Sequence, residues 1–359
     1  MADFKNTIIQ DTGFLQLPVG TTAQRPSNPE IGMARMNSDR DNALEFWDGE
    51  DWMVFGDDFE PIAATGGTVT SIVENGITYR VHTFTSTGTS TFTVNSLGTM
   101  DDEVDVLVVA GGGGGGNSRG GGGGAGGLIL RPDLLIQKGD YAITVGEGGL
   151  HVSGGNPGTD GGNSSFEGLL VAVGGGGGGA VSNSSDPSIR NGRPGGSGGG
   201  ARRSQGVDTE GGSGTQPTQG GDSGSPYGFG NDGSGSTAGT DNATGGGGAG
   251  GPGTQGEGTR SVTIGGPGLN EVTINAETYN FNNMFGSVGD LVGGESWFAS
   301  GGAGQGGLSR PGGGGEGANA GNFPGKPNTG GGGGGGSTSN GTDGGSGIVI
   351  VRYPLERVQ

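Results

Sequence analysis

Cysteine is absent and basic residues are scarce in this chain of 359 residues. Without cysteine, a disulfide scaffold and a thiolate metal site are excluded. The 17 Lys and Arg residues face 36 Asp and Glu residues, which leaves a formal net charge of −19. Nucleic-acid binders need a basic surface that displaces counterions, and anionic membranes attract polybasic segments. We therefore expect neither a nucleic acid nor a membrane surface as a partner.

Long apolar segments and helical periodicity are also missing. Apolar residues make up 28% of the chain, and the longest strongly apolar run, 104–110, is too short to span a bilayer and contains Asp105. The N-terminal stretch MADFKNTIIQ lacks the apolar region of a signal peptide. No window keeps apolar residues at the spacing of a helix face. These absences predict an all-β chain that is made in a cytoplasm and does not insert into a membrane.

Glycine divides what remains into three zones, because only five of the 96 glycines fall within the first 60 residues. We expect an N-terminal attachment or oligomerisation module over 1–65, a β hairpin with an entry strand over 66–110, and a glycine-rich domain with a closing strand over 111–359. The module begins with a proline-containing extended arm at 15–30. Three strand-like stretches follow in it: Met33–Asn37, Leu44–Trp47 and Trp52–Phe55.

The first module holds more aromatic side chains than so short a segment can bury alone. These are Phe46, Trp47, Trp52 and Phe55. We expect them to join copies of the chain, most simply three, or to dock onto another protein. In the second zone, Tyr79–Phe84 and Thr91–Val94 flank a polar turn and predict a hairpin. Strands are also predicted at Val104–Val109, Tyr141–Val145, Leu169–Val173 and Gly347–Tyr353.

The third zone contains glycine runs at 111–116, 120–124, 174–179, 245–248, 312–315 and 330–336. Gly/Ser-rich segments are most often flexible linkers, but a linker has no need of the apolar strands that recur here. A polyproline-II-like helix has about three residues per turn and directs its N–H and C=O groups outward to neighbours. Only glycine lets such helices pack on every side. We predict a sandwich of polyglycine-II helices, each six-residue run roughly 19 Å long, on a small β framework.

Several motifs carry a resemblance over residues 66–354. Val104–Val109 leading into six glycines, Tyr141–Gly149, Gly161–Phe166 and the closing Gly344–Tyr353 resemble the glycine-rich domain of phage tail proteins. They are similar in style to receptor-binding adhesins of T-even-like phages, which build a polyglycine-II sandwich with variable loops at its tip. Separately, Leu17–Pro26 with Glu45–Gly49 and Trp52 resembles a segment of structural proteins of marine and cyanobacterial phages.

The resemblance implies a virion protein, either a tail fibre or an adhesin, that acts outside the cell on a bacterial surface. The implied partners are other virion tail proteins and a host surface glycan or outer-membrane protein. The alternative is a purely structural fibre shaft, capsid fibre or decoration protein without receptor binding.

Side chains able to contact a receptor occur in bursts between the glycine runs. Aromatic rings cover a sugar face at little entropic cost, and arginines would suit anionic glycans. The candidates are Tyr227, Phe229, Tyr279, Phe281, Trp297, Phe298, Arg202 and Arg203. The alternatives are that the rings plug the edge of the lattice and that the arginines serve solubility.

Catalytic and metal motifs are weak. The glycines after Val109 match a dinucleotide-binding pattern, but no helix is predicted after them, and no phosphate-binding P-loop occurs. His82 and His151 fit structural or solvated roles. Aspartates in polar turns could ligate calcium, although Asx turns explain them equally well: Asp160, Asp222, Asp232, Asp241 and Asp343. We expect no enzyme activity, no metal and no cofactor.

Overall fold

The structure is a computed structural model that describes residues 16–40, 42–54, 60–98, 102–180, 186–203, 206–239, 242–255, 263–318, 320–337 and 340–356. Strand predominates over helix, which confirms the all-β class. The α-helices in the described residues are Pro187–Arg190 (α1) and Phe281–Phe285 (α2), each about one turn long. The chain forms two compact units, Met1–Glu60 and Pro61–Gln359.

The first unit is a four-stranded sheet in sequence order, with a parallel first pair and antiparallel pairs after it. Its strands are Val19–Gly20 (β1), Ala34–Asn37 (β2), Ala43–Trp47 (β3) and Trp52–Val54 (β4). The three predicted strands are confirmed, although Phe55 lies outside the described residues. The rings of Trp47 and Trp52 are 6.0 Å apart.

A charged cluster occupies the centre of this unit. The buried carboxylate of Glu45 lies 2.7 Å from Arg25 Nη2 and 3.2 Å from Arg35 Nε, and it accepts a hydrogen bond from Asn37 Nδ2. Burial alone would raise the pKa of Glu45, but the hydrogen bonds from Arg25 and Asn37 and the charges of both arginines hold it below its usual value. Among the described residues of the unit, Val54 is the buried apolar side chain. Polar contacts therefore hold this sheet together.

The second unit contains two antiparallel sheets. The central sheet has the order β14-β10-β9-β19-β7-β6 and the outer sheet the order β13-β12-β11-β8-β5. The central strands are Thr68–Glu74 (β6), Ile77–Phe84 (β7), Glu103–Val109 (β9), Leu128–Leu135 (β10), Gly228–Phe229 (β14) and Ile348–Pro354 (β19). The outer strands are Ala63–Thr65 (β5), Gly88–Ser96 (β8), Gly139–Val145 (β11), Ser164–Phe166 (β12) and Leu170–Ala172 (β13).

The predicted hairpin between Tyr79–Phe84 and Thr91–Val94 is wrong. Both segments are strands, but β7 pairs with β6 and β19, whereas β8 pairs with β5 and β11. The chain crosses between sheets at 85–87, and Phe84 meets Phe92 across the interface with ring centroids 6.4 Å apart. The observed arrangement buries both rings between the two sheets, whereas pairing β7 with β8 in one hairpin would lose this burial.

The hairpin at this place is instead β6–β7, closed by Asn75 and Gly76. Their φ values of 51° and 85° are those of the two-residue turn that Asn-Gly favours. Two further hairpins follow the glycine runs: Glu271–Ile274 (β15) with Glu277–Asn280 (β16), and Asp290–Val292 (β17) with Glu295–Trp297 (β18).

Both faces of the central sheet are buried, because alternate side chains of its strands point to opposite sides. On one face, Val106 and Val108 pack with Phe92, Ile143 and Phe166 of the outer sheet. On the other, Leu107 and Val109 pack with residues of the β15–β16 hairpin and α2, and with Phe298. The C-terminal strand β19 lies between β7 and β9 and contributes to both clusters.

The glycine runs form a hydrogen-bonded lattice with a period of three residues. The amides of Gly113 and Gly116 donate to Gly124 and Gly121 at 2.8 and 2.9 Å, in the antiparallel segment 120–127. The same period relates the other amides of the run: Gly111 and Gly114 donate to Gly162 and Thr159, and Gly112 and Gly115 to Gly345 and Thr342. Each turn thus bonds three different neighbours, as the polyglycine-II prediction requires. We call these packed segments the glycine lattice.

Close backbone contact explains why glycine is needed in this lattice. A Cβ on Gly113 would lie 2.3 Å from the carbonyl oxygen of Gly176. One on Gly176 would lie 1.9 Å from the carbonyl oxygen of Arg193. Both distances are far below van der Waals contact, and the obstructing atoms are backbone, which cannot rotate away. Backbone hydrogen bonds and close packing therefore take the place of a hydrophobic core here.

Candidate functional site

The glycine lattice has one end at the sheets and one end away from them. The first run leaves β9 after Val109, reverses at 117–119, and returns to β10 at Leu128. Six residues of polyglycine-II helix rise about 19 Å. The turn at 117–119 therefore lies roughly that far from the edge of the central sheet and marks the distal end of the lattice.

Polar side chains gather around this distal turn. The amide of Arg119 donates to the Ser337 carbonyl at 2.6 Å, and the amide of Arg203 donates to the Arg119 carbonyl at 3.1 Å. Asn117 Nδ2 donates to Asn340 Oδ1 at 2.6 Å, and Gln305 Nε2 to Ser337 Oγ at 3.1 Å. The amide of Asn117 also donates to the Asn156 carbonyl at 3.3 Å. We call this group the distal cap: Asn117, Ser118, Arg119, Asn156, Arg203, Gln305, Ser337 and Asn340.

Arginine is concentrated beside the distal cap. The Arg202 amide donates to the Arg190 carbonyl at 3.0 Å, one residue before Arg203. Arg190 ends α1, whose first turn is capped by the Asp186 carboxylate through the Ser188 amide. Arg203 is half-buried, whereas Arg202 is only 3% exposed. In a chain with a net charge of −19, four arginines thus adjoin one another at this end of the lattice: Arg119, Arg190, Arg202 and Arg203.

Two of the predicted receptor-binding aromatics are core residues. Phe281 and Phe298 are 0% exposed and belong to the cluster that covers one face of the central sheet. Their ring centroids are 5.8 Å apart. As surface contacts, both are therefore corrected: these rings supply apolar area that holds α2 and its surroundings to the sheet.

Tyr279 and Trp297 lie at the same end of the molecule and are half-buried. Tyr279 packs against the second core cluster, and its hydroxyl donates to Glu277 Oε2 at 2.9 Å. Burial, and then the hydrogen bond to Glu277, raise the pKa of Tyr279. Trp297 Nε1 is buried and has no hydrogen-bond partner within the described part of the chain. Both rings therefore offer only part of their surface to a ligand.

Tyr279 also lines an acidic pocket of about 390 Å³ beside the central sheet. Arg352 also lines this pocket and forms ion pairs with Glu74 at 2.6 Å and with Asp105 at 2.7 Å. Burial raises the pKa of Asp133 in this pocket, and the nearby charges of Asp105 and Glu277 raise it further. The guanidinium of Arg352 is satisfied by its own neighbours, so it stabilises the join between β6, β9 and β19.

Tyr227 and Phe229 lie at the edge of the central sheet. Phe229 is in β14, opposite Leu128, and Tyr227 stacks under the Arg131 guanidinium at 4.8 Å. Both rings are half-buried and pack against the core clusters. The structure therefore separates the predicted site residues: the aromatics lie at the sheet end, and Arg202 and Arg203 lie at the distal end.

The turn aspartates are bonded within the chain rather than gathered together. Asp160 pairs with Arg193, Asp222 with Arg131, and Asp343 with His151 at 2.6 Å, while Asp232 accepts the Gly214 amide. Asp241 lies outside the described residues. Over the described ranges, no three His, Asp or Glu side chains are arranged to hold a metal ion. A search of the same ranges finds no helix with the length and apolarity to cross a membrane.

Most of the distal cap was not predicted from the sequence, although a signal was available. Asn117, Ser118 and Arg119 interrupt two glycine runs that must reverse direction to return to the sheet. Ser118 and Arg119 take positive φ values of 45° and 57°, so the reversal is a tight turn. Polar residues between long glycine runs thus mark the lattice ends, where side chains have room.

Comparison with known proteins places most of the second unit in one family. A family model described as a glycine-rich domain matches residues 85–354, which is well over half of the chain. The match runs from the crossing between the sheets through the glycine lattice to the last strand of the central sheet. No curated protein matches the sequence. From this match and the glycine lattice itself, we conclude that the chain belongs to the glycine-rich domain family.

Proposed function

We propose that this protein is a structural component of a phage virion, a tail fibre or receptor-binding adhesin, and that it attaches to the bacterial surface through the distal end of its glycine lattice. One observation carries the proposal. Glycine helices present only backbone and hydrogen atoms, so they discriminate poorly between ligands, whereas the distal cap concentrates amide, hydroxyl and guanidinium groups on this rigid support.

The polar character of the distal cap suits a carbohydrate or a polar protein loop. Amides and hydroxyls both donate and accept hydrogen bonds, as saccharide hydroxyls do. Rigid presentation reduces the entropy lost on binding. The proposal is one of binding without catalysis, by a virion appendage that acts outside the cell.

The N-terminal unit would join this appendage to its neighbours. An apolar groove of about 560 Å³ runs along it, lined by Val19, Met33, Trp52 and adjoining residues. Val19 is 59% exposed and Met33 38% exposed in the single chain. Such exposure, with a charged interior of little apolar area, suits burial against other copies. We propose a homotrimer that docks on other virion tail proteins.

Attachment to intact cells tests the proposed function. Labelled full-length protein is incubated with a panel of bacterial strains, and bound protein is measured by flow cytometry. At a strain that binds, Arg203→Ala with Asn340→Ala should reduce attachment at least about tenfold, since a central contact often contributes over 1 kcal/mol. Arg310→Ala removes an exposed arginine outside the distal cap and should change nothing.

Two outcomes would contradict the proposal. Attachment to no strain would favour the structural shaft or decoration protein. Attachment lost in Tyr279→Ala with Trp297→Ala, but kept in the distal variants, would place the receptor at the sheet end. Thermal unfolding of each variant separates lost binding from lost folding.

A further inference from the structure

Arg190 and Arg202 form an unusual pair beside the distal cap. They lie on adjacent segments, joined by the 3.0 Å hydrogen bond from the Arg202 amide to the Arg190 carbonyl. Arg202 is 3% exposed, and its Nη1 donates to the Arg203 carbonyl at 2.7 Å. The Nε atoms of both arginines are buried and have no hydrogen-bond partner among the described residues.

Arg80 also has a buried Nε without a hydrogen-bond partner, but the other arginines that are buried as whole residues in the described part of the chain have carboxylate partners. Arg352 pairs with Glu74 and Asp105, and Arg35 pairs with Glu45. In the described part of the chain, no carboxylate forms a salt bridge with Arg190 or Arg202. Asp186 acts on Arg190 through space, but its carboxylate already accepts the Ser188 amide. Burial, and then the charge of Arg190, lower the pKa of Arg202.

A buried guanidinium without an anion is unfavourable, because desolvation is not compensated by pairing. Arg202 is buried in this way, and the like charge of the half-buried Arg190 beside it adds to the cost. Guanidinium groups bind carboxylate and phosphate oxygens through paired N–H donors, and the unbonded Nε–H groups of Arg190 and Arg202 are donors of this kind. An anion seated between them would accept from both donors, and a carboxylate would offset one of the two charges and a phosphate monoester nearly both.

We propose that Arg190 and Arg202 bind the anionic group, carboxylate or phosphate, of an acidic saccharide. The choice of a saccharide rests on the proposed receptor-binding function, whereas the anion site rests on the two arginines. Arg190 is half-buried, so a ligand would approach the pair from its side. Arg202 would form the inner part of the site and Arg190 its outer part.

Titration of the full-length protein with small ligands tests the site directly. Sodium glucuronate, glucose 6-phosphate and neutral glucose are compared by isothermal calorimetry. We expect the wild-type protein to bind at least one acidic sugar and not glucose. The acidic sugar with the higher affinity shows whether the site prefers a carboxylate or a phosphate. Arg202→Gln and Arg190→Gln should each weaken this binding at least tenfold.

Arg310→Gln is the matched control, because it makes the same charge change at an exposed arginine outside the distal cap. It should bind like the wild type. Without ligand, Arg202→Gln should melt no lower than the wild type, because it removes an unpaired buried charge. If that variant fails to fold, the half-exposed Arg190→Gln makes the same test. No binding of either acidic sugar by the wild type, or unchanged binding in both variants, would overturn the site.

The same variants in the cell-attachment assay separate this inference from the proposed function. If the wild type attaches to cells but binds no acidic sugar, the arginine site is refuted and the receptor-binding function is not. If the wild type binds an acidic sugar but attaches to no bacterium, the arginine site stands and the receptor-binding function is refuted. If Arg190→Gln and Arg202→Gln lose sugar binding and cell attachment while Arg310→Gln keeps them, the arginine site and the receptor-binding function are both supported.

Discussion

At the scale of single residues, this molecule depends on the absence of side chains. Lattice glycines are needed where a neighbouring carbonyl occupies the place of Cβ, as at Gly113 and Gly176. Glycine is not needed for this reason at every position. Gly220 has φ −77° and ψ 158°, a conformation that any residue adopts, and open space around its Cβ position.

This contrast predicts opposite effects of the same substitution. Gly113→Ala should lower the free energy of unfolding by about 3 kcal/mol or more, since overpacking against backbone cannot be relieved by a rotamer change. Gly220→Ala should change it by less than about 1 kcal/mol, towards greater stability, because alanine restricts the unfolded chain. Thermal and denaturant unfolding measure both. Equal stability of the two variants would show that the lattice is not closely packed.

His82 should make the second unit sensitive to acid. It is 0% exposed, with Nδ1 2.8 Å from the Gly66 carbonyl and Nε2 3.0 Å from the Tyr353 hydroxyl. The carbonyl can only accept, so Nδ1 carries a proton, and in the neutral ring Nε2 accepts from the Tyr353 hydroxyl. Burial, and then the charge of Arg80, hold its pKa below 6.5 against the opposing effect of the Gly66 hydrogen bond.

Because the unfolded chain takes up this proton below pH 6.5 and the folded chain does so only at lower pH, stability should fall as the pH is lowered through 6.5. The slope contributed by one proton is at most about 1.4 kcal/mol per pH unit. His82→Gln should remove this component, whereas His151→Gln, at the other histidine, should retain it. Melting temperatures between pH 7.5 and 5 compare the three proteins. An unchanged slope in His82→Gln would contradict a neutral buried ring.

At the scale of elements, the N-terminal sheet has a charged centre and exposed apolar residues. Val19→Asp with Met33→Asp should convert the proposed trimer to monomers, since each places a charge in the apolar groove. Leu308→Asp, at an apolar residue 53% exposed in the second unit, should leave the assembly intact. Light scattering of the full-length proteins gives the mass. A wild-type monomer would refute the trimer.

The sequence predicts the elements better than their partners. The runs Val104–Val109 and Tyr141–Val145 are strands because alternating or continuous β-branched residues suit a buried sheet. The predicted pairing of β7 with β8 was wrong, because the periodicity of a strand does not indicate which sheet the strand joins. The local signal for the hairpin is Asn75-Gly76, a two-residue pair typical of such turns, which closes β6–β7. The position of β19 between β7 and β9 depends on contacts far apart in sequence.

The candidate site shows the same limit. Aromatic residues at 277–298 suggested a binding surface, but Phe281 and Phe298 are drawn inward because the second face of the central sheet needs a cover. Arg202 and Arg203 were identified from composition, and the glycine period could place them at the distal end. The unpaired state of Arg190 and Arg202 could not be predicted, because it depends on which carboxylates the folded chain brings near.

At the scale of the whole molecule, the second unit combines two kinds of interior. The central sheet is buried by apolar side chains on both faces, and the glycine lattice continues from its strands with backbone hydrogen bonds alone. Strands β9, β10 and β19 each run directly into or out of the lattice. We therefore expect sheet and lattice to unfold as one cooperative unit, which would keep the distal cap in a fixed arrangement.

Hydrogen exchange of the full-length protein tests this central claim most directly. Amides of 111–116 and 120–127 should be protected to the same degree as those of β9 and β19, since exchange would require opening of the whole unit. Gly293 and Gly294, in the exposed turn between β17 and β18, serve as unprotected references. Exchange of the glycine runs as fast as these references, as expected of a flexible linker, would contradict a folded lattice and the rigid presentation of the distal cap.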